Sequence, residues 1–246
     1  MIKKQHHIHC RPEDLAPYAL LVGDHARVEK IADQMENPVL VSETRGYRII
    51  TGAYQGTRVS VVSTGMGTPQ TAIAVEELGN LGVHTFIRVG SCGARADHIN
   101  VGDIVVTHAA YRDDGTSGAY LPYRFPAVAS VDVIDALRDA AKELKIEHKI
   151  GITSSGDAFY GRKYENNGEL LKKAGLATVE MESSALFIVS QYRGFRAGTI
   201  LTCSDGHGQK VTDPEVEKVY RIGEKAMITV SLRAVALLAA REDQDN

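Results

Sequence analysis

Seven short apolar runs recur along the chain, and each stops in small or polar residues. They are "YALLVGD" (18–24), "RVSVVSTG" (58–65), "TFIRVGSCG" (85–93), "DIVVTHAAYR" (103–112), "KIGITSSG" (149–156), "TVEMES" (178–183) and "AGTILTCSD" (197–205). Most lack the apolar-polar alternation of a strand with one face in water. Such strands need cover on both faces, so helices must pack above and below one sheet. Helical patterns lie between the runs: "PQTAIAVEELGNLG" (69–82), with Pro69 in its first turn, and "SVDVIDALRDAAKELK" (130–145), with Ser130 as its cap. Segments 182–193 and 214–241 read the same way. The chain has 246 residues, within the range of one large domain, and no repeat, low-complexity tract or linker divides it. The expectation is a single α/β domain over residues 1–246, a three-layer α/β/α sandwich.

Composition removes several function classes. The formal net charge is −3, so no global basic field argues for nucleic acid. No apolar run is long enough to span a bilayer. The start "MIKKQHHIHCRPEDL" lacks the apolar core of a signal peptide, and a cytoplasmic protein is expected. The three cysteines, Cys10, Cys92 and Cys203, have no CxxC spacing and read as reduced thiols. His6, His7 and His9 have no matching downstream cluster. They read as solvent-exposed, or as supplying one histidine to a ligand, and no metal site is expected.

In open α/β folds, ligands gather at the carboxyl ends of strands. Six run ends carry small or polar groups: Gly23-Asp24, Thr64 to Gly67, Gly90-Ser91, Ser154 to Gly156, Glu180 to Glu182, and Ser204-Asp205. Their convergence would line a pocket with backbone N–H groups, hydroxyls and carboxylates. Arg27 follows a helix start, where N–H groups and a guanidinium favour an anion. A solvated first-turn residue is the commoner reading of that motif alone. Arg88 interrupts an otherwise buried run. A buried arginine needs a partner, and here an anionic ligand is preferred to a structural salt bridge. "STGMGTPQ" fits neither the dinucleotide fingerprint nor the P-loop, and Met66 could be core filler. Asp205 reads either as a turn aspartate or as a partly desolvated acid. In "VEMES", Glu180 and Glu182 face one way if the chain is extended. Two such charges repel unless something positive or hydrogen-bonding lies between them.

Taken in order, "VGDHARVEKIA", "TGMGTPQTAIAVEEL", "IRVGSCGA", "HINVGDIVV", "FPAVAS", "VEMESSAL" and "CSDGH" resemble the hexameric-type nucleoside phosphorylases. That family includes bacterial purine nucleoside phosphorylase and uridine phosphorylase. The resemblance runs from about His7 to the C-terminal helix. His25 stands where the family usually has proline, and Gln70 where it usually has serine. The resemblance implies a central mixed sheet and phosphate as co-substrate, with no metal or organic cofactor. It places phosphate on Gly23, Arg27, Arg88 and Ser91, with Arg45 lent across a dimer interface. It places ribose on Glu182, with Met181 packing on the sugar, Glu180 in support and Met66 nearby. His7 would reach a neighbour's sugar, and Phe159 would stack on the base. A homo-oligomer is implied, a hexamer built as a trimer of dimers.

The base is read by the same comparison. Uridine phosphorylases carry a glutamine and an arginine shortly after the "FY" at 159–160, where this chain has Gly161-Arg162-Lys163. They also carry Arg-Glu-Phe where this chain has Arg45-Gly46-Tyr47. "CSDGH" resembles the Ser-Asp-His of purine enzymes, apart from the intervening Gly206. Asp205 would then protonate the departing purine, with Lys218 or Arg221 as its cationic partner. Purine nucleosides are the preferred substrates on this reading. The alternatives are uridine phosphorylase, methylthioadenosine phosphorylase, a hydrolytic nucleosidase and a non-catalytic nucleoside-binding protein.

Overall fold

The computed structural model describes residues 4–161 and 164–245. In chain order the first half contains β1 (Tyr18–Val22), α1 (His25–Ala32), β2 (Glu36–Thr44), β3 (Tyr47–Tyr54), β4 (Thr57–Ser63), α2 (Thr68–Asn80), β5 (Thr85–Ala94) and β6 (Ile104–Asp113). The second half contains α3 (Thr116–Tyr120), β7 (Ala127–Val128), α4 (Val131–Glu143), β8 (Lys149–Gly156), α5 (Tyr164–Lys173), β9 (Leu176–Glu180), α6 (Ser183–Arg193), β10 (Arg196–Asp205) and α7 (Pro214–Asp245).

The strands form one mixed sheet ordered β10-β6-β8-β9-β5-β1-β4-β3-β2. Strands β4, β1, β5 and β10 are mutually parallel, whereas β9 is antiparallel to β5 and β6 is antiparallel to β10. An additional β5–β10 pairing closes β5, β10, β6, β8 and β9 into a ring. The sandwich is thus three-layered at one end and barrel-like at the other, a closure the run pattern does not foreshadow.

Burial explains the unbroken apolar runs. Leu20 and Val22 of β1 pack with α1, α4 and α7, while Ala19 and Leu21 pack with α2 and α6. A third small core, with Cys92, Val105, Ala177, Leu201 and Cys203, draws on four strands of the ring. Pro69 lies in the first turn of α2 as expected. Ser130 does stand at the N-cap of α4, but its side chain makes no cap bond. Its hydroxyl instead accepts from Ala197 N at 3.0 Å, clipping the helix start to β10.

The hairpins β2–β3 and β3–β4 are absent from the sequence reading. Their two-residue turns, Arg45-Gly46 and Gln55-Gly56, all have positive φ, as tight hairpin turns require. The run at 178–183 also differs: β9 stops at Glu180, and Glu182 is the N-cap of α6. Among the described residues, no helix is long and apolar enough to cross a membrane.

Candidate active site

Four of the six expected strand ends, those of β1, β4, β5 and β10, share one sheet edge. Strands β8 and β9 run the other way and reach the same place through the ring. Their meeting point is Arg88, buried on β5. Its Nε donates to Glu180 Oε2 at 2.8 Å, and its Nη2 lies 2.5 Å from Glu182 Oε2. Within the chain Arg88 therefore has two carboxylate partners, so a salt bridge stands beside whatever anionic ligand it holds. The same contact shows how the two glutamates coexist. They converge because the strand hands over to a helix between them, not because both lie on one strand face.

Each carboxylate has further donors. Glu180 accepts from the Glu182 and Ser183 amides at the start of α6, at 2.9 and 3.0 Å, and from the Ser155 hydroxyl. Glu182 Oε1 accepts from Gly67 N at 2.7 Å, tying α6 to the glycine-rich entry of α2. Burial pushes the Glu182 carboxyl up, Arg88 pulls it down and Glu180 pushes it up again; the outcome is raised. Burial opposes the Arg88 charge, but Glu182 and Glu180 outweigh it and hold the proton more firmly than usual. Gly90 is needed here, because a Cβ would lie 2.7 Å from the Arg88 guanidinium carbon.

Arg27 is brought to the same strand. Its Nη1 donates to the carbonyl of Val89, the residue after Arg88, at 3.1 Å. Its Nε donates to Glu224 at 3.0 Å and its Nη2 to the Tyr220 hydroxyl at 2.8 Å. It is buried, so the solvated first-turn reading does not hold. Glu224, 2% exposed, also takes Lys30 at 2.6 Å and Arg221 at 3.0 Å. Burial opposes the Glu224 charge, yet these cations bring its carboxyl down to about 2. Gly23 lies at the end of β1, where a Cβ would sit 3.3 Å from the Gly65 carbonyl. Ser91 is half-buried further along β5.

Other expected residues are placed differently. Arg45 is exposed at the β2–β3 turn. Gly46 O accepts from Ser63 Oγ at 3.4 Å, so the turn is at the end of β4. It stands three strands from β5, about 14 Å by strand spacing. His7 is held by Glu77 of α2, with Nδ1 at 2.6 Å from Oε1. Burial would raise the Glu77 carboxyl, but hydrogen bonds from His7 and Ile8 bring it below its ordinary value. Glu77 is ten residues past Gly67, about 15 Å along the helix, so His7 does not join the cluster of its own chain. Met66 is 80% exposed, which removes the core-filler reading, and Phe159 is 76% exposed. Met181 is half-buried. Residues Arg162 and Lys163, used in the base comparison, lie outside the described residues.

Asp205 is half-buried at the end of β10. Its Oδ2 accepts from Ser204 Oγ at 2.5 Å and its Oδ1 from Val211 N at 3.1 Å. This is the hydrogen bonding of a turn aspartate. Neither proposed cation pairs with it: Lys218 pairs with Glu215, and Arg221 with Glu217 and Glu224. The three cysteines are free and buried. Among the described residues, no group of three or more metal-ligating side chains is arranged for an ion.

Sequence reasoning missed Tyr220 and Glu224, and had Ser155 only as part of a polar strand end, with no role of its own. Glu224 had a signal: an acid placed three and four residues before Met227 and Ile228, on a face that packs into the core. As a whole, the site offers a carboxylate able to accept from a vicinal diol, beside two buried guanidinium groups suited to an oxyanion.

The chain is 39% identical over 252 aligned residues to the uridine phosphorylase of Thermococcus kodakarensis, covering 98% of this chain and 88% of that protein. It is 37% identical to the guanosine phosphorylase of Halorubrum lacusprofundi, covering 96% of this chain and 99% of that one. The crystal structure of uridine phosphorylase from Vibrio fischeri superposes with a TM-score of 0.90 at 34% identity, covering 96% and 98% of the two chains. The family model of the phosphorylase superfamily matches residues 17–236, and the chain belongs to that superfamily.

Proposed function

We propose that this protein is a phosphate-dependent nucleoside phosphorylase that cleaves uridine to uracil and ribose 1-phosphate. The observation that carries the reading is the Arg88–Glu180–Glu182 cluster beside Arg27. Glu182 accepts from the ribose 2′- and 3′-hydroxyls, with Met181 and Met66 along the sugar. Inorganic phosphate, the co-substrate, sits on Gly23, Arg27, Arg88 and Ser91 and attacks C1′ from the face opposite the base. As the glycosidic bond stretches, the sugar gains positive charge. The buried Glu182 carboxylate and the phosphate dianion stabilise that charge in a fixed geometry. Phe159 stacks on the base. No metal or organic cofactor takes part.

Arg45 completes the phosphate site of a second subunit, and His7 reaches a neighbour's sugar 5′-hydroxyl. Support for this comes from their distance from the cluster in their own chain. The enzyme acts as a homo-oligomer, a hexamer assembled as a trimer of dimers, in the cytoplasm.

Two observations favour uridine over the purines preferred from sequence. The Thermococcus and Vibrio relatives are uridine phosphorylases. The Asp205 carboxylate is engaged by Ser204 and Val211 N, and among the described residues no cation pairs with it. The second reading is a purine enzyme, favoured by the Halorubrum guanosine phosphorylase and by the sequence "CSDGH". The test is release of free base from uridine, guanosine, inosine, adenosine and methylthioadenosine, with and without phosphate. Uridine should be fastest and phosphate-dependent. Faster turnover of any purine reverses the base assignment, and equal rates without phosphate make the protein a hydrolase.

A further inference from the structure

Ser155 lies fully buried at the end of β8, in direct register with Glu180 of the parallel strand β9. A serine hydroxyl has one proton to donate and lone pairs to accept with. Ser184 N donates to Ser155 Oγ at 2.9 Å, so that bond uses a lone pair. The single hydroxyl proton therefore goes to Glu180 Oε1, the other partner within reach. Every group around Glu180 is then a donor: the Ser155 hydroxyl, Arg88 Nε, and the amides of Glu182 and Ser183. A proton on Glu180 would displace one of these bonds and face a donor.

Glu182 is surrounded differently. Its donors are Gly67 N on one oxygen and Arg88 Nη2 on the other, with the Met181 backbone amide also turned toward it. Three donors leave one of its four lone-pair sites open. The charged groups facing the two carboxylates are Arg88 from β5 and each other. Cys92, also on β5, lies within electrostatic reach of Glu180 and is neutral, since its hydrogen bond to Cys203 and its burial push the thiol well up. Among the described residues, strand β8 and the start of α2 contact the two carboxylates through the neutral Ser155 hydroxyl and Gly67 amide, and buried Asp114 accepts from the Ser184 hydroxyl behind Ser155.

From this accounting we propose that Ser155 is a positioning residue. Its hydroxyl, with the α6 amides, holds Glu180 as the carboxylate that orients Arg88. Glu182 alone is left to exchange a proton and to accept from a substrate diol. The substrate diol rests on the proposed function; the division between the two carboxylates does not. The raised Glu182 carboxyl agrees with it.

The test is the infrared absorption of protonated carboxyl groups in the whole protein as a function of pH. Above about pH 5 ordinary carboxyls are largely ionised, so a protonated band there reports a raised group. The wild-type band should vanish in Glu182→Gln. Ser155→Ala removes a donor to the charged form of Glu180. The double variant Ser155→Ala/Glu182→Gln should therefore regain a band, now from Glu180. In the single Ser155→Ala variant, the acid limb of kcat/KM should rise by at least about half a pH unit, with Ser155→Cys, a weaker donor, in between. A wild-type band that survives Glu182→Gln overturns the proposal. So does a folded Ser155→Ala protein with band and limb unchanged. If Ser155→Ala does not fold, an unchanged band in Ser155→Cys overturns it equally. The spectra need no turnover, so failure of wild-type phosphorolysis would strike the proposed function alone.

Discussion

Replacing Glu224 by glutamine should destabilise the protein in a pH-dependent way. The carboxylate is 2% exposed and gathers Arg27, Lys30 and Arg221. Its value falls from an ordinary 4.5 to about 2 on folding. Because the folded value is the lower one, the stabilisation is complete above about pH 4.5 and is lost as pH falls toward 2. A shift of that size corresponds to about 3.4 kcal/mol at pH 7, at 1.36 kcal/mol per unit. By the same linkage about 1.4 kcal/mol remains at pH 3. Lys30 and Arg221 are themselves 38% and 47% exposed, so water screens their share and these figures are ceilings. Arg27 is 6% exposed and carries most of what remains. The expected cost of Glu224→Gln is therefore about 2–3 kcal/mol at pH 7, and half of that or less at pH 3. Urea unfolding of both proteins at the two pH values, at one protein concentration, measures it. An equal cost at both pH values would refute the reasoning, because the glutamine would then be losing packing and not charge. A cost under about 0.5 kcal/mol at pH 7 would mean that desolvation cancels the ion pairs.

Three further outcomes follow from the site. Glu182→Ala should lower kcat/KM for ribonucleosides by about 10²–10³ with the fold intact, since the interaction strengthens as the sugar becomes cationic; unchanged kinetics would remove Glu182 from the site. Mixing inactive Arg45→Ala and Arg88→Ala subunits should restore part of the activity, because one composite site per mixed dimer is intact. No recovery after demonstrated subunit exchange would count against a shared site. As a turn residue, Asp205→Ala should cost about 0.5–2 kcal/mol and Asp205→Asn, which keeps an acceptor for Val211 N, little, and Asp205→Asn should leave uridine cleavage nearly unchanged. A steep loss of turnover at constant melting temperature would instead restore Asp205 as an acid and favour purines.

Much of the architecture was determined by the sequence alone. Unbroken apolar runs separated by helical patterns leave few solutions besides a sheet covered on both faces, and residues 18–22 pack just so, alternate side chains into opposite layers. The ordered motifs also picked out Arg88, Glu180 and Glu182, which the fold brings into contact, and Arg27, which bonds the neighbouring Val89 carbonyl. Strand direction and closure were decided only in three dimensions, because pairing depends on surfaces far apart in the chain. The β5–β10 contact that makes the ring joins segments about a hundred residues apart. The same holds for charge. "IRVGSCG" announces a buried arginine but not its partners, and the partner 92 positions away is chosen by where β9 ends. Asp205 shows the converse: its apolar lead-in is equally that of an acid and of a turn. The hydrogen bond from Val211 N comes from a loop with no apolar pattern of its own, so only the folded chain shows this turn bonding.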